Sequence, residues 1–78
     1  MLELILADHR SGRILAHIAA DRSPERLREV AMRNLHLLQA PDEAFELRDA
    51  RHETLDWARL VSDPQGQPLL LWGLAVAA

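Results

Sequence analysis

One segment, residues 24–38, has the spacing of an amphipathic helix, and it limits what the rest of the chain can form. Five apolar residues recur at the three- and four-residue intervals of one helix face: Leu27, Val30, Ala31, Leu35 and Leu38. The apolar segments on both sides of it are short and alternate as strands do, and a sheet made from them needs a covering layer. The sequence therefore predicts a single helix packed on one face of a β-sheet.

The start of this helix is marked by Ser23 and Pro24. A serine hydroxyl at the N-cap accepts hydrogen bonds from the free N–H groups of the first turn. Proline at the first helical position has no N–H to leave unpaired, and Glu25 adds negative charge near the positive end of the helix dipole. Asn34 interrupts the buried face, and Pro41 prevents any continuation of the helix.

Residues 2–8 and 13–20 predict a β-hairpin before the helix. In the first strand one face is apolar, formed by Leu2, Leu4 and Leu6, and the other is mixed, formed by Glu3, Ile5 and Ala7. A mixed second face is typical of a sheet that is well covered on one side only. Gly12 can adopt the left-handed conformation that closes the turn between the two strands.

Residues 44–50 predict a third strand, in which Phe45 and Leu47 face the core while Glu46 and Arg48 face solvent. The alternative is a second helix within residues 42–61, whose stripe of Leu47, Arg51, Leu55 and Ala58 is broken by charge. We favour the strand.

Asp63-Pro64-Gln65-Gly66 predicts a tight turn between strands at 55–61 and 69–76. The last strand is apolar on both faces, which predicts a central strand or an interface strand. If the turn is a four-residue loop, Trp57 lies opposite Trp72, whereas a three-residue loop puts Trp57 opposite Gly73. The complete order is β-β-α-β-β-β, which is a single α+β domain over residues 1–78 with a small antiparallel sheet.

The composition limits the class of protein further. A chain of 78 residues buries only roughly 60% of its unfolded surface. Because 49% of its residues are apolar, we expect part of that surface to contact a second chain, either as a homodimer through 69–76 or with an obligate partner. The absence of cysteine excludes a disulfide framework and fits the cytoplasm. The first residues lack the basic region of a secretory signal, and the uncharged run 68–78 is too short to span a bilayer.

No pattern in the sequence predicts an enzyme, a cofactor or a metal site. The four histidines lie in a turn, a strand, the helix and a loop, without the spacing of metal ligands: His9, His17, His36 and His52. The segment from His52 to Asp56 is similar to the zinc-protease motif, but Asp56 stands where the second histidine is required. The hydroxyl residues show no nucleophile elbow, and the three glycines form no phosphate-binding loop.

Two charged sets are candidate binding residues. The acidic set predicts a surface that docks on a basic surface of a partner protein: Glu43, Glu46, Asp49, Glu53 and Asp56. The basic set would contact phosphates of a nucleic acid: Arg22, Arg26, Arg28 and Arg33. Direct nucleic-acid binding is the weaker prediction, because the net charge is −3 and Glu25 and Glu29 are interleaved with the arginines.

These features together predict a small non-enzymatic protein-binding module, either an inhibitor or an adaptor. In size, acidity and lack of catalytic motifs, the chain is similar in type to anti-CRISPR proteins and other small inhibitors made by phages and mobile elements, and to immunity proteins and antitoxins. That similarity is one of type, since no motif carries it. The alternatives are a nucleic-acid-binding module that uses the helix arginines and a structural subunit that assembles through its C-terminal strand.

Overall fold

A computed structural model describes residues 1–73 of the chain. The elements in chain order are β1 (Leu2–Asp8), β2 (Arg13–Asp21), α1 (Pro24–Arg33), a 3-10 turn (Leu35–Leu37), β3 (Glu43–Arg48), β4 (Thr54–Ser62) and β5 (Pro68–Leu71). The predicted order β-β-α-β-β-β is confirmed, and the segment after residue 42 forms strands rather than a second helix. No helix in the described part of the chain has the length and apolar character needed to cross a bilayer.

The strands form one antiparallel sheet in the order β2-β1-β3-β4-β5. Because β1 is antiparallel to both of its neighbours, β2 and β3 run in the same direction. Parallel strands need a long crossover connection, and α1 provides it. The helix therefore crosses one face of the sheet, which we call the helix face.

The core lies between α1 and the helix face. Its buried members come from the helix and from four strands: Leu4, Leu6, Leu27, Ala31, Phe45, Leu47, Ala58 and Leu70. Phe45 and Leu4 are 0% exposed. Burial of each large side chain contributes about 1.5–3 kcal/mol, so this cluster is the main source of stability.

The helix begins as the sequence predicts. The Arg26 N–H donates to Ser23 Oγ over 3.3 Å, and the Ser23 hydroxyl donates to Glu25 Oε2 over 3.1 Å. The pKa of Glu25 is lowered from its usual 4.5, mainly by a backbone hydrogen bond and then by the Ser23 hydroxyl, while the positive charge of Arg28 adds a smaller effect. Each of these partners favours the ionised carboxylate.

The prediction that the helix extends to residue 38 is wrong, because α1 ends at Arg33. Asn34 Nδ2 donates to the Val30 carbonyl over 2.7 Å. A side-chain bond to the backbone of this kind competes with the helical pattern. Leu35 and Leu38 still pack against the core, but they do so from the 3-10 turn and the residue after it.

The β4–β5 hairpin closes with a three-residue loop. The Asp63 N–H donates to the Gln67 carbonyl over 2.9 Å, and Ser62 pairs with Pro68. Continued past the last described pair, this register puts Trp57 opposite Gly73. The alternative prediction, a four-residue loop with Trp57 opposite Trp72, is therefore wrong.

The prediction of a central strand at 69–76 is also wrong. β5 spans Pro68–Leu71 and lies at the edge of the sheet, paired with β4. Leu70 faces the core and is 8% exposed, whereas Leu71 is 42% exposed on the opposite face. Residues 74–76 of the predicted strand lie outside the described residues, and the homodimer through 69–76 stays a prediction.

Candidate binding face of the sheet

The face opposite α1, which we call the open face, is covered by no helix or strand within residues 1–73. Strand alternation and pairing place on it Glu3, Ile5 and Ala7 from β1, Ile14, His17 and Ala20 from β2, Ala44, Glu46 and Arg48 from β3, Thr54, Trp57, Arg59 and Val61 from β4, and Leu69 and Leu71 from β5. Ile5 and Ala7 are nevertheless 0% exposed. Turns and large side chains therefore bury the middle of this face.

The β1–β2 turn contributes to that burial and is held by Asp8. Its Oδ1 atom accepts from the backbone N–H groups of Arg10 and Ser11 over 2.9 and 3.2 Å. The Gly12 N–H donates to the Asp8 carbonyl over 2.8 Å. Gly12 has φ of 76°, a conformation that glycine adopts without strain. These bonds fix the turn in one shape.

The fixed turn places His9 against Trp57. The His9 N–H donates to the Asp42 carbonyl over 2.7 Å, which ties the turn to the segment before β3. The imidazole and indole rings are stacked, with centroids 3.7 Å apart and planes 18° apart. Stacked aromatic pairs contribute about 0.5–1.5 kcal/mol beyond the area they bury. The stack thus joins the first turn to β4.

Glu46 lies at the centre of the open face and is only 6% exposed. Its Oε1 atom accepts from Thr54 Oγ1 over 2.8 Å and from Arg48 Nη2 over 3.3 Å. The prediction that Glu46 points to solvent is therefore wrong. Strand alternation places Glu46 on the correct face, but there it is enclosed by Arg48, Thr54 and its cross-strand neighbours Ile5 and Trp57.

A β-bulge brings Thr54 into this cluster. Leu47 pairs with Asp56 while Arg48 pairs with Thr54, so Leu55 is an extra residue in β4. A bulge shifts the residues beyond it relative to the partner strand. The shift puts the Thr54 hydroxyl within reach of Glu46.

Arg48 is the cation of the cluster, and its side chain is 15% exposed. Its Nε atom is buried and has no hydrogen-bond partner among residues 1–73. The guanidinium thus makes a single 3.3 Å bond to Glu46 rather than the two parallel bonds that an arginine can form with a carboxylate.

These side chains surround an open pocket of about 370 Å³. Its walls are His9, Gly12, Glu46, Arg48, Thr54 and Trp57. A depression of about 400 Å³ lies between residues 38–41 and β4, but no buried charged side chain lines it. The pocket on the open face combines buried charge with an aromatic wall.

The structure does not bring the five predicted acidic residues together in one patch. Glu43 begins β3, where its Oε1 atom accepts from the Gln39 N–H over 2.9 Å. Asp49 lies beyond the other end of β3, where its Oδ1 atom accepts from the N–H groups of Arg51 and Glu53 over 2.8 and 3.1 Å. Of the five, only Glu53 is exposed. Their role in partner binding stays a prediction.

Arg28 and Asp56, which belong to the two competing sets, bind each other on the helix face. Arg28 Nη2 donates to Asp56 Oδ2 over 3.2 Å. Asp56 Oδ1 accepts from the N–H groups of Trp57 and Gly73 over 2.9 and 2.6 Å. The Arg28 guanidinium lies 5.5 Å from the centre of the Trp72 ring. This junction fixes α1 against β4 and the segment after β5.

The other three arginines of the basic set, Arg22, Arg26 and Arg33, are exposed. Arg26 lies 3.9 Å from Asp21. Arg26 and Arg33 line a groove of about 300 Å³ between β2 and α1, together with Asp21 and Glu29. The groove therefore has mixed charge, which weakens its attraction for a phosphate.

Histidine and carboxylate side chains do not gather into a metal-binding group of three anywhere in residues 1–73. The chain matches no family model, no curated protein and no solved structure.

Sequence reasoning missed the Glu46 cluster and the His9–Trp57 stack. One signal for the cluster is present, because Glu46 and Arg48 are two residues apart and thus share a strand face. No comparable signal marks the stack, which joins residues 48 positions apart.

Proposed function

We propose that this protein is a non-enzymatic protein-binding module that holds its partner on the open face. The observation that carries this proposal is the buried cluster of Glu46, Arg48 and Thr54 beside the half-buried Trp57, on a face that no described element covers. A buried ion pair stabilises a fold no better than apolar packing does. The presence of the Glu46–Arg48 ion pair on the open face is therefore explained better by recognition of a partner than by folding alone.

The charges of the open face favour a partner segment that is uncharged and partly apolar. Glu3 Oε2 lies 2.7 Å from His17 Nδ1, and Glu46 is paired with Arg48. Both carboxylates of the face are thus bound by a neighbour. The exposed Arg59, which pairs with Leu71, adds a second positive charge beside that of Arg48, so the formal charges of the face balance. Trp57 and the exposed Leu71 supply apolar contact, and tryptophan is enriched among the residues that dominate binding energies.

This choice of surface replaces the acidic docking surface but keeps the class of function. An inhibitor or adaptor of the anti-CRISPR, immunity-protein or antitoxin type, acting in the cytoplasm, remains our proposal for its biological role. Each predicted acid except Glu53 has a partner within the fold. A basic partner surface is therefore no longer needed to explain the acidic residues.

A matched pair of variants tests the open face. Thr54→Arg places a large charged side chain at the pocket, whereas Ser62→Arg makes a similar change on the same strand but on the helix side, where Ser62 is also exposed. Immobilised protein would capture partners from the native host, and the captured partner would be purified and titrated by calorimetry. Glu53→Lys tests the acidic surface, and Arg26→Glu with Arg33→Glu tests nucleic-acid binding.

We expect Thr54→Arg to weaken binding of the purified partner at least about tenfold, which corresponds to about 1.4 kcal/mol. Ser62→Arg, Glu53→Lys and the arginine double variant should bind as the unchanged protein does. Normal binding by a folded Thr54→Arg variant would refute the open face as the binding surface. Loss of binding in Glu53→Lys alone would restore the acidic surface.

The edge strand β5 supports a second candidate, a subunit that assembles with another copy of itself. β5 carries no charged residue and pairs with β4 without a bulge, whereas the other edge strand, β2, has two register shifts against β1. Charges and bulges are common devices that protect edge strands from association, and β5 has neither, although Pro68 and its length of four residues limit how far it can pair. A molecular mass of one chain by light scattering, at high micromolar concentration, would exclude this candidate.

A further inference from the structure

We propose that the pocket beside Trp57 recognises a neutral carboxamide group of the partner, such as the side chain of asparagine or glutamine. This inference rests on the proposed function and names the chemical group that the open face selects. The carboxamide would lie between Glu46 and Arg48, with its flat surface towards Trp57.

The pairing of charges in the pocket selects against an ionic group. Glu46 Oε1 and Arg48 Nη2 are 3.3 Å apart. A cation that approaches the carboxylate therefore also meets the guanidinium, and an anion that approaches the guanidinium also meets the carboxylate. An ionic group would lose its hydration without gaining a net attraction. A neutral group avoids that cost.

The hydrogen-bonding capacity left in the pocket matches a carboxamide. A carboxylate has about four acceptor positions and a guanidinium has five donors. Glu46 accepts two bonds, both at Oε1, and Arg48 donates one. An amide –NH₂ would donate to the second Glu46 oxygen, while the amide oxygen would accept from an Arg48 Nη group.

The aromatic wall matches the flat shape of the same group. His9 is stacked on Trp57 and fixes its orientation, and Trp57 is only partly buried. Its indole, held in this way, gives a planar amide a preformed apolar surface. Preorganisation of this kind lowers the entropy lost on binding.

Three small molecules of similar size test the proposal on the isolated protein: propionamide, propionate and propylammonium. Each would be titrated into isotope-labelled protein while two-dimensional nitrogen–proton spectra follow the Thr54 amide and the Trp57 indole N–H. Ligands of four or five heavy atoms have an affinity ceiling of about −6 to −7.5 kcal/mol. A fragment in an open pocket falls well short of that ceiling, so Kd values in about the millimolar range, near −4 kcal/mol, are expected. Thr54→Arg and Ser62→Arg again serve as the blocked and control proteins.

We expect propionamide to shift both signals with a Kd at least about threefold lower than that of either ion, which corresponds to a difference in binding free energy of about 0.6 kcal/mol. The shift of the Trp57 indole N–H should vanish in Thr54→Arg, and both shifts should persist in Ser62→Arg. Equal or tighter binding of propionate or propylammonium would overturn the proposal, as would the absence of any shift with propionamide. If Thr54→Arg loses its protein partner but propionamide shows no preference, the proposed function stands and only the carboxamide assignment fails.

Discussion

The Glu46 cluster makes a sharp prediction about stability. Replacing Glu46 by leucine removes the carboxylate and leaves the Arg48 guanidinium without its partner, although the Arg48 side chain is only 15% exposed. Breaking a buried ion pair from one side costs about 3–5 kcal/mol. Arg48 retains some contact with water, so we expect the free energy of unfolding to fall by about 3 kcal/mol, at the lower end of that range.

The double variant Glu46→Leu with Arg48→Leu separates the net contribution of the ion pair from the cost of leaving one charge buried without its partner. Replacement of both partners of a buried ion pair by apolar residues is often neutral or stabilising. We therefore expect the double variant to be more stable than Glu46→Leu alone. Thr54→Val removes the 2.8 Å bond to Oε1, and since Thr54 is exposed we expect a loss of about 1–2 kcal/mol, near the low end for bonds to charged groups.

Urea unfolding followed by circular dichroism would measure these differences. A domain of 78 residues has a total stability of only about 4–12 kcal/mol, so Thr54→Val provides a measurement even if Glu46→Leu unfolds the chain. The slope of free energy against urea must stay constant for the comparison to hold. A loss below about 1 kcal/mol in Glu46→Leu would refute the burial of the ion pair. The single variant Arg48→Leu completes the comparison: a double variant whose loss equals the sum of the losses in Glu46→Leu and Arg48→Leu would refute the coupling of the pair.

Two further predictions use the same fold. Leu70→Ala should lower the free energy of unfolding by about 2–5 kcal/mol, whereas Leu71→Ala should cost well under half as much, because Leu71 is 42% exposed and Leu70 only 8%; equal losses in urea unfolding would contradict the assignment of Leu70 to the core. The pKa of Glu25, measured by NMR titration, should lie below 4.5. The stabilising contribution of the ionised carboxylate is then complete above pH 4.5 and is lost as the pH falls through the folded-state pKa. Glu25→Gln should therefore flatten the dependence of Tm on pH in that acidic range.

The local signals in this chain were sufficient to predict the elements and their order. The alternation of Leu2, Leu4 and Leu6, the cap formed by Ser23 and Pro24, and the turn at 63–66 each act within a few residues. Their outcome therefore does not depend on distant parts of the chain. The apolar spacing predicts too long an α-helix because it continues past Asn34, whereas the bond from the Asn34 side chain to the Val30 carbonyl accompanies the end of the helix at Arg33.

The arrangement of the candidate site depends on contacts that no local pattern encodes. Burial of Glu46 requires a bulge at Leu55 and the fold of the β1–β2 turn over the sheet. The residue that lies opposite Trp57 in the last hairpin depends on whether the loop holds three or four residues. The pairing of Arg28 with Asp56 joins residues 28 positions apart. The sequence alone therefore places Arg28 in the basic set and Asp56 in the acidic set.

The two tryptophans lie on opposite sides of the sheet, which gives the molecule two independent optical reporters. Trp57 is stacked on His9 at the open face, while Trp72 packs against the core under Arg28. Intrinsic emission from Trp57 should respond to an occupant of the open face, whereas emission from Trp72 should respond to the docking of the helix. A chain with only Trp57 would therefore follow binding, and a chain with only Trp72 would follow folding, without any added dye.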